Sequence, residues 1–376
     1  MENERKCCWG ILGAAEIARK NWQAILHSGN GHLKAVASRS EERAATLIAD
    51  CEALAPFSKP VQAVQGYDKL LADPEIDAVY IPLPTVVRND WALAAIEAGK
   101  HVLIEKPCSP SADQLAKIIV SAEAKNLQVM DGVMFAHSRR FDGLMDAIHN
   151  EKIIGDVRRI TSQFSFLGVD PEWKSANIRC DSRMEPFGAL GDLGWYCIRM
   201  SLATMGNVLP EKVVGRALQT YQHQDASKPV PTEFEGTLFF ANNVTASLYC
   251  SFVTELQQWA NISGTDGFIA IEDFVLPYRD RQPQYEIVKS EFVCQSCDFN
   301  MHRKHQAVSF DESPNSAADS QEASMFRDFN DCVIHSKTDY RWPQASLNTQ
   351  IVMDALMRSA KEAQSEIIVA ANYGAN

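Results

Sequence analysis

Hydrophobic residues form short uninterrupted runs over the first third of the chain, and the stretches between them have a different period. The runs are CWGIL, LKAVA, DAVYIPL, HVLIE and LQVMD. Runs of this length are typical of parallel strands that are buried on both faces. Between them, apolar residues recur at helical spacing over residues 16–27, 41–49, 88–98 and 111–125. Ser111 and Gln114 form the capping-box pattern that marks a helix start. Alternating strands and helices predict a doubly wound parallel sheet.

The pattern changes after about residue 155. The segments DVRRITSQFSF, TEFEGTLFFA, NVTASLYCSFV and QWANISG alternate polar and apolar residues, with a turn at Asn242-Asn243 between two of them. This alternation predicts a largely antiparallel sheet with one covered face. Helices are predicted near residues 193–205, 322–335 and 346–363, and a flexible loop is predicted over 309–321.

Two domains follow from this division. We predict a Rossmann-type α/β domain over residues 1–131. An α+β domain with an open, mostly antiparallel sheet is predicted over residues 132–376, and its C-terminal helix could pack back on the first domain. A chain of 376 residues exceeds what one compact core usually holds, which supports the division.

Composition and charge narrow the functional class. The chain is 46% hydrophobic and 22% charged, as expected for a soluble globular protein, and no run approaches the roughly 18 apolar residues of a membrane span. A net charge of −12 argues against nucleic acid or an anionic membrane as the main partner. The first residues, MENERK, do not resemble a secretory signal. Cysteines inside apolar runs (Cys8, Cys197 and Cys250) are expected to be buried free thiols, so a cytoplasmic protein is expected.

The segment CQSCDFNMHRKH places Cys294, Cys297, His302 and His305 close together in sequence. A metal knuckle is one interpretation of such a cluster. The histidine spacing is tight for a zinc module, so the favoured interpretation is a polar surface loop with incidental thiols. We therefore assign no metal to the protein and leave the segment without a role.

The stretch CCWGILGAAEIARKN, residues 7–21, has the form strand, tight turn and helix. In a dinucleotide turn the first glycine permits the bend, the second admits the pyrophosphate, and the third, often alanine, allows close packing. Gly13, Ala15 and Ala18 occupy these positions. Ala15 adds a methyl group where a phosphate must approach, so the turn alone is weak evidence. The helix start still offers free N–H groups to an anion.

The second strand ends in AVASRSEERA. Ser38 and Arg39 stand where an NAD site usually has an acidic residue, and Arg43 follows one helical turn later. A hydroxyl and a guanidinium suit a 2′-phosphate. The alternative is a solvated helix start with Ser40 as its N-cap, and both interpretations can hold because they use different residues.

Two more motifs carry candidate chemistry. In HVLIEKPCSP, Lys106 ends a parallel strand, where such sheets bind ligands, and Pro107 stops the strand. In GALGDLGWYCIRM, Asp192 and Tyr196 are four residues apart at a helix start and so share a face. Each has a structural alternative: a surface lysine at a strand end, and an N-cap aspartate with a packing tyrosine.

Together these motifs resemble the glucose–fructose oxidoreductase/inositol dehydrogenase/MocA family over about residues 5–365. The segments that carry the resemblance are GILGAAEIA, VASRS, DPEIDAVYIPLPT, GKHVLIEKP and the D-x-G-x-Y motif in DLGWY. Within the family, the chain is most similar to the branch of dimeric dihydrodiol dehydrogenases and NADP-dependent D-xylose dehydrogenases. The resemblance implies a Rossmann domain followed by an open-faced sheet that commonly forms the subunit interface, and therefore a homodimer.

The resemblance also implies residue roles. It makes Lys106 the active-site lysine, Tyr196 the acid/base and Asp192 a ligand of a substrate hydroxyl. The implied cofactor contacts are Gly13, Ala14, Ala15, Glu16 and Ile17 at the pyrophosphate, Ser38, Arg39 and Arg43 at the 2′-phosphate, Leu83 and Thr85 on the far side, and Glu105 with Lys106 near the nicotinamide. Phe135, His137, Asn177 and Arg179 are weaker substrate-pocket candidates. Arg88 stands where many family members have histidine.

The expected function is an NADP-dependent oxidoreductase, with NAD the less expected cofactor. It would transfer hydride to or from C1 of an aldopyranose such as D-xylose, or a trans-dihydrodiol whose ring would contact Phe135 and Trp195. The Lys106 ammonium is expected to favour the Tyr196 phenolate, which would take the proton of the substrate hydroxyl. The alternative from another class is a dinucleotide-binding sensor without turnover, which has no need of a Lys, Asp and Tyr set.

Overall fold

The computed structural model describes residues 5–168 and 170–369. The first sheet has six parallel strands: β1 Cys7–Leu12, β2 Gly31–Ser38, β3 Gln62–Gln65, β4 Ala78–Ile81, β5 His101–Ile104 and β6 Val129–Asp131. Their order is β3-β2-β1-β4-β5-β6, so the strand order reverses between β1 and β4. The carboxyl ends of these two strands therefore flank the crevice in which such sheets bind ligands.

Five helices lie between these strands: α1 Glu16–Ser28, α2 Glu41–Glu52, α3 Tyr67–Leu71, α4 Thr85–Glu97 and α5 Ala112–Glu123. The four predicted helices are present, and both predicted caps form: Ser40 Oγ accepts from Arg43 N at 3.5 Å and Ser111 Oγ from Gln114 N at 3.3 Å. Helix α3 was not predicted, because five residues are too few to show a helical period.

The second sheet has nine strands in the order β14-β13-β12-β11-β7-β10-β9-β8-β15. Their bounds are β7 Val157–Leu167, β8 Lys212–Tyr221, β9 Val230–Phe239, β10 Thr245–Ser251, β11 Val253–Gly264, β12 Phe268–Ile271, β13 Gln284–Gln295, β14 Asp298–Ser309 and β15 Ile367–Ile368. Only β7 and β10 pair in parallel within this sheet of the described chain. The prediction of a mostly antiparallel sheet is confirmed, as is the turn at Asn242 and Asn243, where φ is 59° at both residues.

Helices cover one face of this sheet. Among them are α6 Arg139–His149, α8 Trp195–Thr204 and, near the C-terminus, α10 Arg341–Lys361, whereas α7 Pro171–Ala176 follows β7 and α9 Gln321–Ile334 packs against α1 of the first domain. Leu238 and Leu248 point into the covered face and are buried, whereas their neighbours Thr237, Ser247 and Tyr249 lie on the other face and are partly exposed. The other face is therefore open, as period-two alternation predicts.

The segment with Cys294 and Cys297 is neither a metal knuckle nor an irregular loop. It belongs to a long hairpin of β13 and β14, whose tight turn has φ of 55° at Ser296. Phe299 and Met301 on this hairpin are 71% and 70% exposed. Within residues 5–168 and 170–369 no three His, Cys, Asp or Glu side chains are grouped to hold a metal. The predicted loop over 309–321 is irregular for most of its length.

Both C-terminal helices contact the first domain. Trp9 of β1 donates its indole N–H to Asn330 Oδ1 of α9 at 2.7 Å, and its ring lies 5.1 Å from that of Phe326. Asp354 of α10 accepts from Ala112 N, at the start of α5, at 2.7 Å. These two helices thus complete the packing of the parallel sheet. In the part of the chain that the structure describes, no helix has the length and apolarity needed to cross a membrane.

Candidate active site

A cleft of about 420 Å³ separates the two sheets. The carboxyl ends of β4 and β5 and the N-terminus of α1 form its first-domain side, and the segment leading into α8 forms part of the opposite side. The predicted residues that line it are Ala15, Glu16, Ile17, Leu83, Glu105, Lys106, Arg179, Asp192 and Tyr196. Half of the predicted site residues, including the Lys106, Asp192 and Tyr196 set, therefore converge on one cleft at the switch point of the parallel sheet.

The turn after β1 requires glycine at its first position. Gly13 has φ of +122°, and a Cβ there would lie 2.9 Å from Leu83 Cδ2. The turn is tied to β2, because Gly13 N donates to Ala37 O at 2.8 Å. Ala14 is partly buried, and Ala15 has extended backbone with φ of −86° at the N-cap of α1, without a side-chain cap. Glu16 and Ile17 leave the start of the helix exposed to an anion.

Two arginines lie beyond the end of β2. Ser38 is buried, whereas Arg39 and Arg43 are exposed. Across the described residues, no carboxylate oxygen lies within 4.0 Å of either guanidinium. Both arginines lie near Tyr67, where they oppose the rise in the phenol's pKa that burial causes. This end of the nucleotide side thus presents two cations that have no ion-pair partner within the described chain.

The opposite end holds a charged cluster centred on Asp192. Lys106 Nζ lies 2.7 Å from Asp192 Oδ1, and Arg179 Nε lies 2.8 Å from Asp192 Oδ2. Burial alone would raise the pKa of Asp192, but Arg179 and Lys106 together hold it well below its ordinary value. Asp192 in turn raises the pKa of Arg179. The carboxylate is therefore an anion held between two cations, one from each domain.

Asp192 does not cap a helix. It lies in a π-helical turn, Leu190–Gly194, which runs directly into α8 and has no side-chain cap. The N-cap interpretation is wrong because the chain is already helical before Asp192. A Cβ on Gly194 would lie 2.7 Å from Leu190 Cδ1, which accounts for the glycine of the D-x-G-x-Y motif. Single π-helical turns are frequent at functional sites, because they reorient side chains within a helix.

The pKa of the Tyr196 phenol differs from the expectation. Lys106 Nζ lies 4.9 Å from the centre of the Tyr196 ring. Burial raises the pKa of Tyr196 well above its ordinary value, and the carboxylates of Glu105 and Asp192 raise it further. The expected lowering of this pKa by Lys106 is not observed, because burial has the largest influence on the phenol and Lys106 Nζ is paired with Asp192 at 2.7 Å. Without ligand, the phenol is a proton donor at neutral pH.

Glu105 is held in a fixed orientation beside Lys106. Its Oε1 accepts from Tyr80 Oη at 2.6 Å and from Asn21 Nδ2 at 3.4 Å, and its Oε2 accepts from Lys106 N at 3.2 Å. The carboxylate is 8% exposed and lines the cleft. Its predicted place near the nicotinamide stays a prediction, and Tyr80 and Asn21 were not foreseen as its partners.

The other predicted residues lie outside the cleft lining: Gly13, Ala14, Ser38, Arg39, Arg43, Thr85, Phe135, His137, Asn177 and Trp195. Phe135 is a core residue, packed against Phe141 and Phe274 at 5.4 and 5.7 Å between ring centres. His137 stacks on Trp342 and its Nδ1 lies 2.6 Å from Asp328. Neither side chain lines the cleft, because both are buried in the 3-10 turn Met134–His137, and their substrate role stays a prediction.

Trp195 and Thr85 are buried as well. The Trp195 indole donates to Asp131 Oδ2 at 3.1 Å, so it offers no surface to a substrate. Thr85 N donates to Glu185 Oε1 at 3.0 Å. Asn177 accepts from Arg179 N at 3.0 Å and so orients the loop that carries Arg179. Its contribution in this structure is to the position of that arginine.

Other cleft residues were missed. Glu185 belongs to the turn before the π-helical segment and lines the cleft. Phe164, Phe166, Ile178 and Leu276 form its apolar wall. On β7, Ser165 separates the two phenylalanines, so the sequence predicts that they share one face of the strand. It does not predict which part of the protein that face contacts. No local signal marks Glu185, whose partner Thr85 is 100 residues away in the chain.

A glycine turn for a dinucleotide and a Lys, Asp and Tyr cluster face each other across one cleft, which defines a two-domain, nucleotide-dependent oxidoreductase. The family model of oxidoreductases with an NAD-binding Rossmann fold, GFO/IDH/MocA, matches residues 8–133. The GFO/IDH/MocA C-terminal domain matches residues 144–270.

Known relatives agree with this match. D-xylose 1-dehydrogenase (NADP(+)) 2 of Haloferax volcanii is 32% identical over 259 residues, 69% of this chain and 74% of the relative. Trans-1,2-dihydrobenzene-1,2-diol dehydrogenase of Mus musculus is 29% identical over 280 residues, 72% of this chain and 75% of the relative. The chain therefore belongs to the GFO/IDH/MocA family of oxidoreductases, which confirms the predicted resemblance.

A solved structure shares the fold. KijD10, a 3-ketoreductase from Actinomadura kijaniata in complex with NADP and TDP-benzene, superimposes with a TM-score of 0.76 at 24% identity. The match covers 94% of this chain and 98% of that chain. The combination of a Rossmann sheet and a second, mostly antiparallel sheet is thus confirmed.

Proposed function

We propose that this protein is an NADP-dependent oxidoreductase acting at C1 of an aldopyranose such as D-xylose. The observation that carries the proposal is the anionic Asp192, held by Lys106 and Arg179 beside Tyr196 at the end of a cleft that begins at the Gly13 turn. The similarity to an NADP(+)-dependent D-xylose 1-dehydrogenase supports the choice of sugar.

The residues present fit a dinucleotide. Gly13 provides the positive φ and the space that the turn needs, and the first turn of α1 is exposed toward the cleft. Residues 13–17 would hold the pyrophosphate at the helix N-terminus. Arg39 and Arg43, which have no ion-pair partner within the described residues, would hold a 2′-phosphate, so NADP is favoured over NAD.

Three side chains would act on the substrate. When bound, the nicotinamide supplies hydride-transfer chemistry. Asp192 would accept a hydrogen bond from a sugar hydroxyl, and Lys106 would donate to a neighbouring oxygen. Tyr196 Oη would exchange the proton at the reacting oxygen. Because its pKa is raised, Tyr196 suits donation to a carbonyl at neutral pH, and alcohol oxidation is favoured at alkaline pH.

A second candidate substrate is a trans-dihydrodiol of an aromatic ring. The observation that favours it is the apolar wall of Phe164, Phe166, Ile178 and Leu276 beside the polar cluster. A planar hydrocarbon ring would bury its faces there while its hydroxyls meet Asp192 and Tyr196. The mouse relative carries the name of this activity.

We also propose a homodimer formed through the open face of the second sheet. Partly exposed Tyr249 and Trp259 on that face are residue types enriched at interfaces. The buried free thiols Cys8, Cys197 and Cys250 support a reducing, cytoplasmic location. Sedimentation of the Trp259→Arg variant tests the interface: a monomer supports it, and an unchanged mass contradicts it.

The function is tested by nicotinamide absorbance with purified protein, NADP+ or NAD+, and a panel of aldopentoses, aldohexoses and one dihydrodiol. The proposal expects turnover of a pentose with NADP+ and weaker turnover with NAD+. Turnover of the dihydrodiol alone selects the second candidate. Tight NADP+ binding without turnover of any compound favours a dinucleotide-binding sensor of the same fold.

A further inference from the structure

A carboxylate of the second domain caps a helix of the first. Thr85 opens α4, whose N-cap residue, Pro84, provides no side-chain hydrogen bond. Instead, Glu185 Oε1 accepts from Thr85 N at 3.0 Å and its Oε2 accepts from Thr85 Oγ1 at 2.5 Å. The neighbouring Met184 O accepts from Val86 N at 3.3 Å. The turn before the D-x-G-x-Y motif is therefore attached to the start of α4.

Arg88 connects this cap to the segment that carries the active-site lysine. Its Nε donates to Leu83 O and its Nη1 donates to Glu105 O, both at 2.8 Å. Nη1 also donates to Pro107 O, on the far side of Lys106. Arg88 Nη2 lies 3.8 Å from Glu185 Oε1, and the Arg88 side chain is only 4% exposed. The ends of β4 and β5 and the Glu185 turn therefore form one bonded unit.

We propose that Glu185 is a positioning residue that sets the Lys106 side of the active site against the Asp192 and Tyr196 side. The inference rests on the proposed function, because it states what the cap positions. Lys106 Nζ reaches across the same junction to Asp192 at 2.7 Å, a distance that a small shift of either segment would break. Misplacement of reacting groups by about 1 Å can cost ~100-fold in rate.

Stability alone does not account for this carboxylate. Burial raises the pKa of Glu185 in spite of Arg88 and the two bonds from Thr85, so the folded protein keeps an anion there at a cost. An apolar contact of similar volume is often equally or more stabilising than a buried ion pair. A directional cap, in contrast, fixes both the distance and the angle between the two segments.

The test combines three variants: Glu185→Ala, which removes both acceptors, Glu185→Gln, which keeps one, and Thr85→Val, which removes the hydroxyl at equal size. We expect kcat to fall at least ~10-fold in Glu185→Ala and less in Glu185→Gln, with NADP+ affinity within ~3-fold of the parent. The loss in the double variant of Thr85→Val and Glu185→Ala should be smaller than the two single losses combined, since Thr85 and Glu185 share a contact.

Hydrogen exchange gives a readout that needs no substrate. The amides of Thr85 and Val86 should exchange faster in Glu185→Ala, because their acceptors lie on the Glu185 turn. Glu172→Gln is the matched control, since Glu172 is an exposed glutamate of the same domain. It should leave kcat, NADP+ affinity and these exchange rates unchanged.

An unchanged kcat in Glu185→Ala would overturn the proposal, and so would unchanged exchange at Thr85 and Val86. A loss of NADP+ affinity as large as the loss of kcat would also overturn it, because Glu185 would then serve cofactor binding. If the parent protein turns over no sugar or diol, the proposed function fails. The exchange rates still decide whether the cap exists.

Discussion

The two ends of the predicted site place positive charge in opposite ways. At the end of β2, Arg39 and Arg43 are exposed and have no carboxylate within ion-pair distance in the described residues. Beyond the end of β5, Lys106 contacts Asp192, which also contacts Arg179 of the second domain. Exposed cations without partners are available to an incoming anion, whereas paired charges are held in fixed geometry. The end with Arg39 and Arg43 is therefore suited to cofactor affinity, and the end with Asp192 is suited to the rate of the reaction.

The largest expected effect lies at the paired end. Tyr196→Phe removes one oxygen, so kcat should fall ~10²–10⁴-fold, the usual contribution of a positioned acid or base. Affinity for NADP+, measured by fluorescence titration, should stay within ~2-fold. Tyr340→Phe is the control, because Tyr340 is exposed and far from the cleft lining. Near-parental turnover by Tyr196→Phe would remove Tyr196 from its acid/base role.

The pH dependence of the same end should be the next largest effect. Because burial, Glu105 and Asp192 raise the pKa of Tyr196, the phenol is protonated throughout the neutral range. The kcat/KM for alcohol oxidation should rise about tenfold per pH unit between about pH 7 and 9, and carbonyl reduction should not rise. Steady-state rates in both directions measure this. A flat oxidation profile over that range would contradict the assignment.

A substitution at the end with Arg39 and Arg43 should change the affinity for the cofactor. Arg39→Ala should weaken NADP+ binding ~10–100-fold and NAD+ binding ~3-fold or less, since only NADP+ carries the 2′-phosphate. Calorimetric titration of both cofactors measures the difference. Arg158→Ala, at the exposed start of the central strand β7 and outside the cleft lining, should change neither affinity. Equal losses for both cofactors would show that Arg39 contacts the adenine instead.

The smallest expected effect concerns the alanine of the glycine turn. Ala15 has extended backbone that any residue adopts, and its methyl group is partly exposed in the cleft. Ala15→Gly should therefore change NADP+ affinity by less than ~3-fold, and Gly at an N-cap is slightly favoured over Ala. A gain of tenfold or more would show that the methyl group restricts the approach of the pyrophosphate.

Much of the fold could be predicted because it depends on local signals. Period and caps give α2 and α5, with Ser40 and Ser111 as observed N-caps. The hairpin of β13 and β14 was missed because CQSCDFNMHRKH has the composition of a metal loop. Residues of β14, and those of β13 near the turn, are mostly exposed on both faces, so no apolar alternation marks this part of the hairpin.

The candidate site depends partly on contacts that no short stretch of the sequence predicts. Lys106, Asp192 and Tyr196 each lie in a compact motif, and the sheet topology brings them together. Phe135 and His137 were predicted in the substrate pocket from the family resemblance. Both lie in the core instead, because the 3-10 turn Met134–His137 buries their side chains. The raised pKa of Tyr196 was also not predicted, since it depends mainly on how deeply the fold buries the phenol. Such contacts join residues far apart in the chain.

The packing of α9 on the first sheet limits how this protein can be divided into modules. Trp9 is fully buried because Phe326 and Phe329 cover it, and its indole N–H has Asn330 as its acceptor. A fragment that ends after β6 would expose this tryptophan to water. The smallest exchangeable unit for a chimera with another family member is therefore discontinuous: residues 5–131 together with residues 321–361.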